Sequence, residues 1–164
     1  MTAATPPLLE TDREQVVVWH PAHGGAGATT LRLALGLGVE VRDRAVLNQE
    51  PHRITVVIAR THALGLIRAQ ELAYRYAGNA TLGGLALVAD APGKLPKPLQ
   101  ELTRLVTGGY PMVWKIPWVE AWRMGDAPDA SNTPRVLARM ASDLTKRCEA
   151  IDLRAAGRKN EINT

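Results

Sequence analysis

A β-branched run from Gln15 to His20 enters a turn built on Gly24, Gly25 and Gly27, and an amphipathic run from Leu31 to Leu37 leaves it. Strand, glycine turn and helix in this order are how a parallel α/β sheet presents backbone N–H groups at a helix start, where they can hold a phosphate. The entering run does not alternate apolar with polar residues, which suits a strand covered on both faces, the usual state in a parallel sheet. The turn therefore predicts layers of helix on both sides of a sheet, with the glycines at the carboxyl end of a central strand.

The rest of the chain repeats the alternation. Strand patterns at Ile54 to Ala59, Leu82 to Ala89 and Met112 to Ile116 are separated by helical patterns at Ala63 to Tyr76 and from Pro98 to about Val106. A final helix, capped by Asn132 or Thr133 with Pro134 just inside, carries Val136, Leu137, Met140, Leu144, Cys148 and Ile151 as one stripe. Val39 to His52 reads as a charged connection, with a short strand at Ala45 to Asn48. Right-handed crossovers then give a three-layer αβα sandwich with a mainly parallel sheet. The 164 residues suit a single domain over 13–152, with a linker at 125–132 and loose tails at 1–12 and 153–164.

A working phosphate loop has the form G-x-x-x-x-G-K-[ST], in which amides cradle phosphates, lysine neutralises them and the hydroxyl holds magnesium. The stretch His23-Gly24-Gly25-Ala26-Gly27-Ala28-Thr29-Thr30 resembles the variant loop of the ParA and MinD group of ATPases, K-G-G-x-G-K-[ST]-[ST]. His23 stands at the signature-lysine place and Ala28 at the phosphate-lysine place, so both lysines are replaced. Downstream, Val56 to Leu66 is similar to the strand and helix start after that group's second switch. Gly84 to Asp90 is similar to a later strand that ends in a base-contacting residue, and Val113 to Trp118 to the next strand with its isoleucine-proline turn. The chain also resembles an uncharacterised ParA-like family encoded among conjugation genes of high-GC Gram-positive bacteria, through its glycine turn and the segment Ala89 to Pro96.

The resemblance implies a P-loop-like fold with a phosphate or nucleotide site at Gly24, Gly25, Ala26, Gly27, Ala28, Thr29 and Thr30. It implies base contacts at Asp90 and Trp118, and ATP with magnesium as the ligand if Thr29 keeps its role. The family's magnesium aspartate has no clear counterpart, since Asp43 is followed by no switch-like glycine. Losing one hydrogen bond to a charged group costs about 1.5 to 3 kcal/mol, so anion binding can survive without the lysine. Phosphoryl transfer rests almost wholly on such charges, so the reading is against an ATPase. The expectation is a non-catalytic binding or scaffold subunit with a protein partner, in conjugative DNA transfer. One alternative is a nucleotide switch whose cation comes from Arg32, Arg60 or a partner; another is a DNA-binding accessory protein. The residues alone also allow glycines that merely turn the chain.

Other features have plainer readings. His20, His23 and His62 lie where all three could meet at one sheet edge, but a metal site would need more ligands. Trp114, Trp118 and Trp122 recur every four residues, and Trp118 could stack on a base, fill a crevice or anchor a partner. Asp90 could instead cap its Pro-Gly turn. The net charge of +4 is spread among acids, and Lys94, Lys97 and Arg104 read as solvated surface. A single cysteine, Cys148, excludes an internal disulfide and fits a reducing cytoplasm. No signal peptide or membrane span is expected.

Overall fold

A computed structural model describes residues 17–41, 54–79 and 81–162. The expected strand at Ala45 to Asn48, Asp43 and the 1–12 tail lie outside the described residues.

β-Branched and aliphatic runs form a five-stranded sheet. In chain order its strands are β1 (Val17–Pro21), β2 (Val39–Glu40), β3 (Ile54–Arg60), β4 (Leu82–Val88) and β5 (Val113–Ile116). The helices are α1 (Ala28–Leu35), α2 (Ala63–Arg75), α3 (Lys97–Thr107), α4 (Glu120–Arg123) and α5 (Arg135–Ile162). The spatial order is β2-β1-β3-β4-β5, every pairing is parallel, and β1 pairs with β2 and β3.

Alternate residues along the central strands serve two cores. Val17, Trp19, Val56, Ile58, Ala86 and Val88 pack with Leu31 of α1 and Leu137, Met140 and Leu144 of α5. Val18, Val57, Ala59, Leu85 and Leu87 pack with Leu66, Ala69 and Leu72 of α2 and Val106 of α3. The result is the expected three-layer sandwich, with α1 and α5 on one face and α2 and α3 on the other. Burial on both faces explains why β3 and β4 read as continuous apolar runs.

Three local features depart from the sequence reading. A two-residue strand, β2, stands in the charged stretch treated as a connection. Asn132 and Thr133 do not act as simple caps: Asn132 Oδ1 accepts from Trp122 Nε1 at 2.9 Å, and the Thr133 hydroxyl donates to Asp129 O at 2.6 Å. The 125–132 segment is thereby tied to α4. Ser131 donates its hydroxyl and backbone N–H to the Asp129 carboxylate, holding it below the usual carboxylate range. The last helix runs on to Ile162, past Gly157, where the sequence reading places a loose tail.

Tyr110 supports the second core, with its hydroxyl donating to Ala69 O at 2.6 Å. Burial, with Tyr76 nearby, pushes its ionisation well above the ordinary phenol range. An unfolded phenol ionises near pH ~10, so the folded form loses stability as pH rises above that value. Tyr110→Phe is expected to shift alkaline unfolding, followed by circular dichroism, to higher pH.

No helix among the described residues is long and apolar enough to cross a membrane.

Candidate functional site

The glycine turn sits at the carboxyl end of β1, where it leads into α1. The chain leaves β1 with Ala22 N–H donating to Ile58 O at 2.8 Å, and the first helical bond of α1 is Leu31 N–H to Gly27 O at 3.0 Å. Gly25 and Gly27 take φ of +73° and +103°, a conformation that side chains disfavour, whereas Gly24 has ordinary φ and open space where a Cβ would be. Two of the three glycines are therefore required by the backbone. None of the backbone N–H groups of residues 24–30 has an acceptor among the described residues, although Ala26 and Ala28 are buried. Successive N–H groups left open at a helix start form an anion-binding concavity.

Arg60, at the end of β3, lies across this turn. Its Nε donates to Gly25 O at 2.7 Å and its Nη1 to Ala89 O at 3.3 Å, so one guanidinium joins the glycine turn to the end of β4. Its backbone N–H donates to His23 Nε2 at 3.0 Å. That contact makes Nε2 the acceptor, so His23 carries its proton on Nδ1 and donates it to Gly24 O at 2.9 Å. His62 caps α2 by accepting from Gly65 N–H on Nδ1 at 2.9 Å, and its ring lies 4.7 Å from that of His23 between centroids.

Thr29 donates its hydroxyl to Glu40 Oε2 at 3.0 Å. Glu40 is brought there because β2 pairs in parallel with β1, with Trp19 opposite Glu40. An acid thus reaches the loop hydroxyl. It is a glutamate on a two-residue strand, too short to leave a periodic trace.

Two cavities open here. One, of ≈ 300 Å³, is lined by residues 25–30 with His23, Glu40 and Arg60. The other, of ≈ 140 Å³, lies beside it against Ala89, Pro117, Trp118, Trp122 and Arg123. Gly27, Thr30 and Arg60 line both. Trp118 is half-buried, and its Nε1 donates to Glu120 Oε2 at 2.8 Å. Arg32, in the last turn of α1, lines neither cavity.

The remaining candidates separate. Asp90 is exposed and engages Thr61 Oγ1 through its backbone N–H, not its carboxylate. The three histidines do not meet: His20 is buried beneath α2 with Nδ1 3.0 Å from the Tyr76 hydroxyl. No group of three His, Cys, Asp or Glu side chains suited to a metal is found among the described residues. Trp114 is a core residue, donating to Asp143 Oδ2 at 2.9 Å, so the three tryptophans do not form one surface. Cys148 packs half-buried against the α1 and α5 core, and Lys94, Lys97 and Arg104 are exposed.

Residues 16–140 match the sequence family described as a family of unknown function, DUF6668, and the chain belongs to that family. No curated protein and no solved structure matches it.

Proposed function

We propose that this protein is a ParA-like domain that binds a phosphate-bearing ligand on its glycine turn without hydrolysing it, and so acts as a binding or scaffold subunit. The observation that carries this reading is the set of N–H groups at residues 24–30 without acceptors, in a cavity whose rim holds the Arg60 guanidinium. The neighbouring slot is lined by Pro117, Trp118 and Trp122, and aromatic side chains of this kind can stack on a nucleoside base. Ala28 offers no charge to a transferring phosphoryl group, which argues for binding over catalysis. The conjugation setting implied by the sequence resemblance would place such a subunit in a DNA-transfer apparatus.

Magnesium fits the residues present. Thr29 and Glu40 supply a hydroxyl and a carboxylate, hard oxygen donors of the kind that the ion takes when phosphates and water complete its shell. Bound there, it would neutralise phosphate charge that faces Glu40. A second reading, a nucleotide switch, is favoured by Arg60, which brings a cation to the turn from another strand.

Calorimetry with ATP, with and without magnesium, combined with a phosphate-release assay, separates these readings. Binding that strengthens with magnesium and is lost in Thr29→Ala, with no release above the Thr29→Ala background, is expected. Release well above that background would favour the switch, and no heat at millimolar nucleotide would overturn both.

A further inference from the structure

A separate cavity of ≈ 250 Å³ lies on the α3 side of the sheet, under the turn at residues 89–96. Leu87, Leu95 and Pro117 give it mainly apolar walls, and Thr61, Thr103 of α3 and Lys115 of β5 are its polar members. The Thr103 hydroxyl is the one buried side-chain polar atom among the described residues that has no hydrogen-bond partner, in a residue only 8% exposed. Helical threonines commonly turn the hydroxyl back onto a preceding carbonyl. Thr145 does so to Ala141 O at 2.8 Å and Thr107 to Arg104 O at 3.1 Å, but Thr103 does not. A buried hydroxyl left open is costly and calls for an explanation.

Lys115 reaches this cavity because strand alternation sends Trp114 and Ile116 to the α5 core. It has no ion-pair or hydrogen-bond partner among the described residues. The Thr61 hydroxyl already accepts from Asp90 N–H, so one ammonium and one open hydroxyl beside aliphatic walls match a ligand with a single negative charge and an apolar body. A phosphate dianion would be only half neutralised. The volume falls below the range of about 300–1,000 Å³ that drug-sized ligands occupy, so the ligand is small.

We propose that this cavity binds a small aliphatic monocarboxylic acid, with its carboxylate held by Lys115 and the Thr103 hydroxyl and its chain against Leu87, Leu95 and Pro117. The site stands apart from the glycine turn, although Ala89 and Pro117 line both this cavity and the Trp118 slot. Lys115 also lies on the outermost strand, where a charge discourages edge pairing. That role alone would leave affinity for an acid indifferent to Lys115.

The test is titration of the full chain with hexanoate, hexan-1-ol and hexylammonium, followed through the methyl resonances of Leu87 and Leu95. Saturable shifts with hexanoate are expected, with about tenfold or greater loss of affinity in Lys115→Met and for hexan-1-ol, and none with hexylammonium. Thr103→Val, which removes the open hydroxyl, is expected to melt no lower than the parent while weakening hexanoate severalfold. Hexan-1-ol binding as tightly as hexanoate, affinity unchanged in both variants, or no saturation would overturn the proposal.

Discussion

Arg60→Met is expected to weaken nucleotide binding by about tenfold to a hundredfold, measured by calorimetry with magnesium present. The magnitude follows from removing a charged hydrogen-bond donor from the anion's surroundings, about 1.5 to 3 kcal/mol. Arg60 does two things at once: it brings positive charge to a loop whose Ala28 has none, and it joins Gly25 O to Ala89 O. Arg60→Lys separates these roles. An ammonium keeps the charge but lacks the planar fork that spans both carbonyls. Arg60→Lys is therefore expected to recover part of the affinity, and recovery of all of it would show that the bridge is unimportant. Equal affinity in parent and Arg60→Met would remove Arg60 from the site.

Gly65→Ala is expected to cost about 3 kcal/mol in denaturant unfolding, the upper end of what overpacking costs. A Cβ at Gly65 would lie 2.3 Å from Arg60 O and 3.0 Å from His23 Nε2. The first contact is with backbone, so α2 has to back away from the end of β3, disturbing the residue that carries the guanidinium. The same variant should therefore bind nucleotide more weakly at temperatures where it remains folded. Gly24→Ala is the contrasting case, with ordinary φ and nothing within 4 Å of the added carbon. Its stability is expected to stay within about 0.5 kcal/mol of the parent. A Gly65→Ala protein as stable as Gly24→Ala would mean that α2 is not seated on β3 as described.

What could be read from the sequence tracks what leaves a periodic or conformational trace. β1, β3 and β4 are long enough, and buried enough on both faces, for their apolar runs to mark a parallel sheet. The glycine turn was legible because Gly25 and Gly27 supply positive φ that other residues avoid. Nothing in a linear pattern separates Gly24 from them, and the structure does so. β2 escaped notice because two residues carry no periodicity, and with it went Glu40, whose place beside Thr29 depends on pairing with β1. Arg60 could be named as a candidate cation but not chosen over Arg32; the choice is made by the parallel pairing of β3 with β1, which sets the end of β3 beside the turn. Trp114, Trp118 and Trp122 recur every four residues, yet Trp114 lies on a strand whose alternation buries it, while the other two follow the Pro117 turn. Residue type and spacing were visible in each case, and the neighbour across the sheet was not.

The most direct measurement is an amide-resolved ¹⁵N–¹H titration of the full chain with ADP in the presence of magnesium. If the open N–H groups hold the phosphates, the amides of residues 24–30 move together and saturate, with the Arg60 side-chain Nε signal moving at the same midpoint. Amides at 24–30 that stay in place at millimolar ADP, or shifts confined to the Trp118 slot, would contradict anion binding by the glycine turn.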